Sequence, residues 1–306
     1  MNQKILSLTG ATGFVGGETL AQALAAGWQV RALTRRPQAE QAGVTWVAGD
    51  LQNEAALAEL VRGASAVLHI AGVVNAPDKA GFISGNVTAT EAMLKAAQEE
   101  GISRFIHVSS LSAREPSLSQ YGWSKAEGEN RVTSSDRNWT VVRPPAVFGP
   151  RDTEMLDLFR MAKKGLQMAP KGRISAIYVK ELARLLVTLA DDVSGMSNRA
   201  IYEPDDGRNL GWSHKEFGEA IGAALGRSRM ITLPVPEQLL YITARLDRLF
   251  RGDKAKLTPD RAAYIAHPDW VVTASRRPPH ALWSPAISTP EALAETVDWY
   301  AQENWL

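Results

Sequence analysis

Short apolar runs alternate along the first half of the chain with longer segments whose apolar residues recur at helical spacing. Runs of about five residues between turn residues are typical of buried strands, and the helical spacing indicates amphipathic helices. The predicted strands are Ile5 to Leu8, Gln29 to Thr34, Val44 to Ala48, Ala66 to Ile70, Arg104 to Ser109 and Trp139 to Arg143. The predicted helices are Val15 to Ala26, Ala55 to Val61, Asn86 to Glu99 and Tyr121 to Thr133.

This alternation of strand and helix decides the fold class. It predicts an α/β fold, with a doubly wound parallel sheet of the Rossmann type and right-handed crossovers. In such sheets, ligands bind at the carboxyl ends of the strands, where the strand order reverses. We therefore expect the functional residues directly after the predicted strands.

A glycine-rich turn joins the first predicted strand to the first predicted helix. Three glycines at three-residue spacing in this position are typical of a loop that binds a dinucleotide pyrophosphate, and a connection without a ligand is the alternative. Gly10 permits the tight turn, Gly13 lets the backbone approach the phosphates, and Gly16 lets helix and strand pack closely. The predicted loop residues are Gly10, Thr12, Gly13, Phe14, Val15 and Gly16.

From about Pro144 the regular alternation gives way to proline-bearing loops and helices. We predict a dinucleotide-binding domain over residues 1–150 and a smaller C-terminal substrate domain over residues 151–306. The two are interleaved rather than joined by a linker, because a segment near residues 174–204, with a strand from Ala200 to Glu203, is expected to return to the sheet.

The end of the second strand bears on the choice of cofactor, because it lies beside the adenosine ribose. An NAD site usually has an acid there, whereas this chain has Thr34-Arg35-Arg36. Guanidinium groups pair with a 2′-phosphate, so Arg35 favours NADP over NAD. The alternative is that both arginines are merely solvated.

Asp50 and Leu51 come just after the third strand. The carboxylate is suited to accept from the adenine amino group, while the leucine supplies an apolar edge. A helix cap before Glu54 is the alternative role for Asp50.

The chemistry is predicted at Tyr121 and Lys125, which share one face of a helix because they are four residues apart. We expect Lys125, aided by a positive nicotinamide ring, to lower the pKa of the phenol from about 10 toward neutrality. Tyr121 would then donate and accept a proton. The alternative is that Tyr121 and Lys125 form a surface pair without a catalytic role. A serine at the carboxyl end of the fifth strand, Ser109 or Ser110, favours the catalytic interpretation, because its hydroxyl is suited to orient the reacting oxygen. Only one of the two faces the site, because side chains alternate along a strand.

Composition narrows the function classes. The 306 residues carry a formal net charge of +1 and are 45% hydrophobic, which gives no general case for nucleic-acid binding. With no cysteine, and with five histidines that show no pair at ligand spacing, we expect no metal site. No apolar stretch approaches the roughly 20 residues of a membrane span, and a cytoplasmic location is the default expectation.

Taken together, these motifs resemble the extended short-chain dehydrogenase/reductase family, which includes NAD(P)-dependent epimerases and dehydratases. The resemblance covers most of the chain, and its motifs occur in the family's order. They are the glycine loop, Asp50-Leu51, His69-Ile70-Ala71-Gly72, Asn86-Val87, Ser109-Ser110, Tyr121 with Lys125, and Arg143 to Pro150.

The resemblance implies further roles. Ser110 matches the catalytic serine better than Ser109, with Ser112 a remote third. Lys125 would also hold the nicotinamide ribose, and a homodimer would form through the helices that begin near Asn86 and Tyr121. Other cofactor contacts implied are Ala71 and Gly72 at the ribose and Pro144 and Val147 at the nicotinamide.

Three functions follow from these motifs. The favoured one is an NADP-dependent oxidoreductase that exchanges a hydride with the carbonyl or alcohol of a small or moderately apolar substrate. The alternatives are a sugar-nucleotide epimerase or dehydratase, and a non-catalytic NADP-binding sensor or assembly protein. The segment from Leu111 to Arg114 reaches Tyr121 quickly, which leaves little room for a sugar diphosphate. Candidate phosphate ligands for the epimerase are Arg151, Lys163, Lys164, Lys171 and Arg173.

A basic amphipathic segment from Leu239 to Arg251 stands apart from these motifs. Its pattern suits a helix that lies on a membrane or caps an apolar substrate. Packing in a core or a lid is the favoured interpretation.

Overall fold

The computed structural model describes residues 4–252 and 257–306. Its strands are β1 Ile5–Thr9, β2 Gln29–Thr34, β3 Val44–Ala48, β4 Ala66–His69, β5 Arg104–Val108, β6 Asn138–Val142, β7 Ala146–Phe148, β8 Leu166–Pro170, β9 Arg173–Ile174, β10 Ala176–Tyr178, β11 Ala200–Tyr202, β12 Trp212–Ser213, β13 Ile231–Val235 and β14 Asp269–Trp270. Its α-helices are α1 Phe14–Ala25, α2 Glu54–Val61, α3 Lys79–Phe82, α4 Ala89–Glu99, α5 Gln120–Thr133, α6 Leu156–Lys163, α7 Val179–Ala190, α8 His214–Ala224, α9 Glu237–Arg251, α10 Pro259–Ala266 and α11 Thr289–Gln302.

Seven parallel strands form the central sheet in the order β11-β6-β5-β4-β1-β2-β3. The order reverses between β1 and β4, so the crevice for a ligand opens at their carboxyl ends. The predicted α/β doubly wound sheet is confirmed. Its strands and helices lie where the sequence patterns put them, with ends that shift by about one residue, except that α4 begins three residues after the predicted start at Asn86.

Helices cover both faces of the sheet because neighbouring strand residues point to opposite sides. Leu68 and Ile106 belong to the apolar core shared with α1 and α7, whereas Val67 and Phe105 belong to the core shared with α2 and α4. All four side chains are fully buried. Strands buried on both faces are mainly apolar, which is the pattern that the sequence carries.

Two features of the first half were not expected from the helical pattern. Asn86, where a helix was predicted to start, lies within a π-helical segment, Ile83–Thr88, that runs directly into α4. A short 3₁₀ helix, Leu111–Arg114, connects β5 with the loop before α5. Both lie beside the carboxyl ends of β4 and β5, where π-helical turns often mark functional sites.

The second half contains α6, α8 and α11, packed around a core that includes Phe148, Phe159 and Tyr300. Strand β11 pairs with β6 and so completes the central sheet, which is the return expected near residues 174–204. The division into two domains stays a prediction. Among residues 4–252 and 257–306, none of the helices combines the length and the apolar character that crossing a membrane requires.

Candidate active site

The glycine loop has a backbone that only glycine allows. Gly10 has a φ of 79°, in the left-handed region, and a side-chain carbon at Gly16 would lie 2.0 Å from the Gly10 carbonyl oxygen. Gly13 is the N-cap of α1, and no side chain caps the helix there. The free N–H groups of a helix start bind phosphate, so the loop fits the pyrophosphate of a dinucleotide. Thr12 is exposed beside it, and Phe14 and Val15 pack partly into the cores.

Arg35 lies directly after β2 with its side chain exposed. Within the described part of the chain, no hydrogen bond or ion pair engages its guanidinium group, so the cation is available at the edge where an adenosine ribose would lie.

Asp50 is exposed after β3, and its Oδ1 accepts a hydrogen bond of 2.9 Å from the Gln52 N–H. Asn53, not Asp50, caps α2, with its Oδ1 accepting from Ala56 N at 3.0 Å. The helix-cap alternative for Asp50 is therefore wrong. Leu51 packs against the core below.

The segments after β4 and β6 come close to the loop and to the predicted catalytic residues. The Ala71 N–H donates to Thr9 Oγ1 at 3.2 Å, and the Lys125 ammonium would lie 3.6 Å from a side-chain carbon at Gly72. The carbonyl oxygen of Pro144 accepts from Leu111 N at 2.9 Å, which ties the proline to the serine segment. Val147, on β7, is half-buried.

Ser110 and Tyr121 lie side by side. The Ser110 side chain interacts with the Tyr121 phenol and lowers its pKa, and the Ser110 oxygen accepts from the Ser112 hydroxyl at 3.0 Å. Ser109 is different: it is buried, and within the described residues its hydroxyl has no hydrogen-bond partner. Of the two adjacent serines, only Ser110 faces the tyrosine.

Lys125 is almost fully buried, and its ammonium donates to the carbonyl oxygen of Val108 at 2.9 Å. Burial lowers the pKa of Lys125 to about 8, although Glu129 acts in the opposite direction. The lysine is therefore attached to the end of β5, one residue before the serine pair.

The pKa of the Tyr121 phenol is raised in the protein alone. Burial raises the pKa of Tyr121 above its ordinary value, the interaction with Ser110 lowers it, and Glu154 raises it. Lys125 is not among the groups that shift the Tyr121 pKa in the protein alone, so Tyr121 is a protonated phenol at neutral pH. The lowering expected from Lys125 together with a positive nicotinamide ring stays a prediction.

Two buried histidines lie behind Lys125 on neighbouring strands. The rings of His69 and His107 stack 5.4 Å apart, and His69 Nδ1 lies 2.8 Å from Thr9 Oγ1. Burial, followed by the Lys125 charge, lowers the pKa of His69 to about 3 and that of His107 well below its ordinary value. Both imidazoles are neutral, so the positive charge beside these two rings is that of Lys125. The sequence did not reveal the contact between His69 and His107, because they are 38 positions apart in the chain and only the pairing of β4 with β5 brings them together.

Asn86 has a positioning role that the sequence reasoning missed. Its amide bonds both backbone groups of Val73, with its Oδ1 accepting at 2.8 Å and its Nδ2 donating at 2.9 Å. The same Nδ2 also donates to Ser124 Oγ at 2.9 Å. Asn86 thus joins the loop after β4 to the helix that carries Tyr121 and Lys125. The motif Asn86-Val87 was the only signal available for it.

A second missed element is a buried ion pair. Arg143 binds the Glu129 carboxylate with two nitrogens, at 2.9 and 2.6 Å, and contacts Glu203 at 3.4 Å. Glu129 lies on α5, so this pair fixes the catalytic helix to the end of β6. It could be found only with knowledge of which strand lies beside α5.

Comparisons with known proteins show relatives that bind NAD(P)H, as the glycine loop of this chain predicts. A family model described as NAD(P)H-binding matches residues 10–192. Ceramide reductase from Caulobacter vibrioides is 34% identical over 317 residues, which cover 99% of this chain and 96% of that protein. The chain belongs to the extended short-chain dehydrogenase/reductase family.

Other relatives in this family differ in their reactions. UDP-glucose 4-epimerase from Vibrio cholerae is 25% identical over 265 residues, 76% of this chain and 79% of that protein. The crystal structure of WbmH from Bordetella bronchiseptica in complex with NAD+ has a TM-score of 0.73 at 19% identity, and covers 98% of this chain and 99% of that one. The chain is an NAD(P)-dependent oxidoreductase of the extended type, as the motifs predicted.

Proposed function

We propose that the chain is an NADP-dependent reductase that acts on a carbonyl group of a lipid-like, apolar substrate. The observation that carries this proposal is the pairing of Ser110 with a protonated Tyr121 beside the buried Lys125. A carbonyl oxygen placed between the two hydroxyls would receive a hydrogen bond from serine and a proton from tyrosine.

The proposed cofactor site runs along the carboxyl ends of the strands. The glycine loop would hold the pyrophosphate, Arg35 the 2′-phosphate, and Asp50 and Leu51 the adenine. Ala71, Gly72 and Lys125 would border the nicotinamide ribose, with Pro144 and Val147 against the ring. When bound, NADPH supplies the hydride.

The protonation state of Tyr121 favours reduction. Because burial holds the phenol in its acid form, Tyr121 carries the proton that the developing alkoxide needs. With the cofactor in the site, Lys125 and the positive nicotinamide ring together would stabilise the phenolate that remains after transfer, until the proton is replaced from solvent.

Apolar side chains flank this pair. Directly after Ser110, Leu111 packs with Trp270 and Val272. The Tyr264 ring lies tilted against Trp270, with the ring centres 4.6 Å apart, and the Phe82 ring centre lies 6.3 Å from that of Tyr121. Apolar surroundings favour a lipid over a sugar, which agrees with the relative named ceramide reductase.

The basic residues considered for a sugar nucleotide support the epimerase less. Arg173 is paired with Glu216, and Lys163 and Lys164 border a surface hollow beside the C-terminal Trp305. Arg173 is therefore neutralised by a carboxylate, and the two lysines lie at a surface hollow rather than among the predicted catalytic residues.

The test is product analysis with NADPH and two classes of substrate. A long-chain ceramide analogue carrying a ketone should yield the alcohol, with one NADPH consumed per product. UDP-glucose should be unchanged. Conversion of the sugar nucleotide with no net NADPH use, and no reduction of the lipid ketone, would overturn the proposal.

A further inference from the structure

The imidazole of His69 lies between two threonine hydroxyls. Its Nδ1 is 2.8 Å from Thr9 Oγ1, and its Nε2 is 3.3 Å from Thr90 Oγ1. All three side chains are fully buried. Thr9 Oγ1 also bonds the Ala71 N–H at 3.2 Å, and Thr90 Oγ1 bonds the Asn86 carbonyl oxygen at 2.7 Å. The five residues therefore form one buried chain of hydrogen bonds.

The group at the Asn86 end decides the direction of every bond in this chain. A carbonyl oxygen can only accept, so the Thr90 hydroxyl donates to Asn86 and must accept from His69 Nε2. Burial lowers the pKa of His69 to about 3, so the ring is neutral and carries only that one proton. His69 Nδ1 is then an acceptor, and the Thr9 hydroxyl donates to it while accepting from the Ala71 N–H. The chain is complete only when the His69 proton is on Nε2.

The chain connects segments that border the proposed cofactor site. Thr9 is the last residue of β1, directly before the glycine loop, and Ala71 lies in the loop after β4. Asn86 lies in the π-helical segment before α4, and its amide reaches α5 through Ser124. One imidazole thus holds together the end of β1, the loop after β4 and the turn before α4.

His107 provides a contrast on the neighbouring strand. Its ring is as deeply buried as that of His69, and the two rings stack 5.4 Å apart. Within the described residues, neither ring nitrogen of His107 has a hydrogen-bond partner. The two histidines therefore share their burial and their packing, and differ in the bonds that only His69 makes.

We propose that His69 is a positioning residue for the dinucleotide, which acts through Thr9 on the backbone of Ala71. With its proton on Nε2, His69 accepts from the Thr9 hydroxyl and leaves the threonine oxygen free to accept from the Ala71 N–H. The loop expected to border the nicotinamide ribose is thereby held against the glycine loop before the dinucleotide binds. This role rests on the cofactor position given in the proposed function, and it does not depend on the substrate.

Titration with NADPH, or with NADH should that bind more tightly, tests the role in two matched pairs of variants. His69→Leu removes both bonds and keeps a buried side chain of similar size, so Kd should rise about tenfold. His107→Leu makes the same change at the neighbouring ring and should leave Kd within about twofold of wild type. Equal Kd values in the two leucine variants would overturn the inference.

The second pair keeps both histidines and changes only Thr9. Thr9→Val replaces the hydroxyl by a methyl group and should raise Kd about tenfold, whereas Thr9→Ser keeps the hydroxyl and should bind like wild type. A purely structural role would lower the stability of Thr9→Val in urea but leave the Kd of the folded protein unchanged, and that result would refute the positioning role. This comparison remains decisive if His69→Leu does not fold.

NMR of the wild-type protein tests the chain without any variant. Long-range proton–nitrogen correlation should show His69 as a neutral ring with its proton on Nε2, and a proton on Nδ1 would refute the assigned bonds. Differences in Kd as expected, in a protein that reduces no ketone, would refute the proposed reductase and leave the role of His69 standing. Ketone reduction by a wild type whose Kd is matched by Thr9→Val would do the reverse.

Discussion

The buried ammonium of Lys125 donates to the carbonyl oxygen of Val108 at 2.9 Å. This contact joins the middle of α5 to the end of β5, so the lysine is held in place before any cofactor arrives. The arrangement has a thermodynamic cost, because burial disfavours the charged form and lowers the Lys125 pKa to about 8.

The first prediction concerns that cost. A lysine of unfolded pKa near 10.4 binds more protons in the unfolded state between about pH 8 and 10.4, so wild-type stability should rise with pH across this window. Below pH 8 the penalty is present in full. Lys125→Met removes it, and should raise the free energy of unfolding at pH 7 by about 1–3 kcal/mol while abolishing turnover.

Urea denaturation at pH 7 and pH 10 measures this effect. The gain from Lys125→Met should shrink at the higher pH, and Lys164→Met, at an exposed lysine, should show neither change. A variant that is less stable than wild type at both pH values would contradict the account.

The second prediction separates the two adjacent serines. Ser110→Ala removes the hydroxyl that interacts with Tyr121, and should lower kcat by about 10²-fold because the carbonyl loses its orienting donor. Ser109→Ala removes a buried hydroxyl that has no partner within the described residues, so kcat should stay within about threefold. Steady-state kinetics on both variants decides the matter, and the reverse ranking would assign catalysis to Ser109.

The third prediction concerns the ion pair that holds α5. Glu129→Gln leaves the buried Arg143 without one of its two carboxylates, and should lower the free energy of unfolding by about 2–4 kcal/mol. The control is Glu91→Gln, which breaks the half-exposed pair of Glu91 on α4 with Arg131 on α5 and should cost under about 1 kcal/mol. Comparable losses in the two variants, measured by denaturant titration, would mean that burial does not distinguish the pairs.

The fourth prediction concerns the choice of cofactor. Arg35→Asp places an acid where a 2′-phosphate would bind, and should weaken NADPH binding at least tenfold while NADH binding is kept or improved. Arg62→Asp makes the same charge change after α2, at the opposite edge of the sheet, and should alter neither affinity. Fluorescence titration with both nucleotides provides the test, and equal affinities of wild type for the two would refute the NADP preference.

Much of the fold followed from local pattern. Strands buried on both faces, such as Ala66–His69 with its Ala-Val-Leu sequence, contain apolar runs that a single sequence reveals, and the spacing of Gly10, Gly13 and Gly16 needs no tertiary knowledge. The Tyr121 and Lys125 pair was found because four residues form one helical turn.

What the sequence did not reveal depends on contacts across the fold. Lys125 donates to the carbonyl oxygen of Val108 on a neighbouring strand, and the Arg143–Glu129 pair joins residues on different elements. The sequence identified the amphipathic pattern of α9 but not which of its apolar side chains are exposed, since a hydrophobic pattern does not tell how many sides of a helix find a partner. The NADP preference, the domain division, the homodimer, the cytoplasmic location and the catalytic roles stay predictions.

The most direct test of the proposed reductase is the turnover of Tyr121→Phe. The ring still packs beside Phe82 and only the hydroxyl is lost, so the variant should bind NADPH within about twofold of wild type. Its kcat on the best ketone should be lower than that of wild type by a factor of about 10²–10⁴. Tyr241→Phe, on α9, should keep full turnover. Turnover equal to wild type in Tyr121→Phe would contradict the assignment of the proton donor, and with it the account of the site.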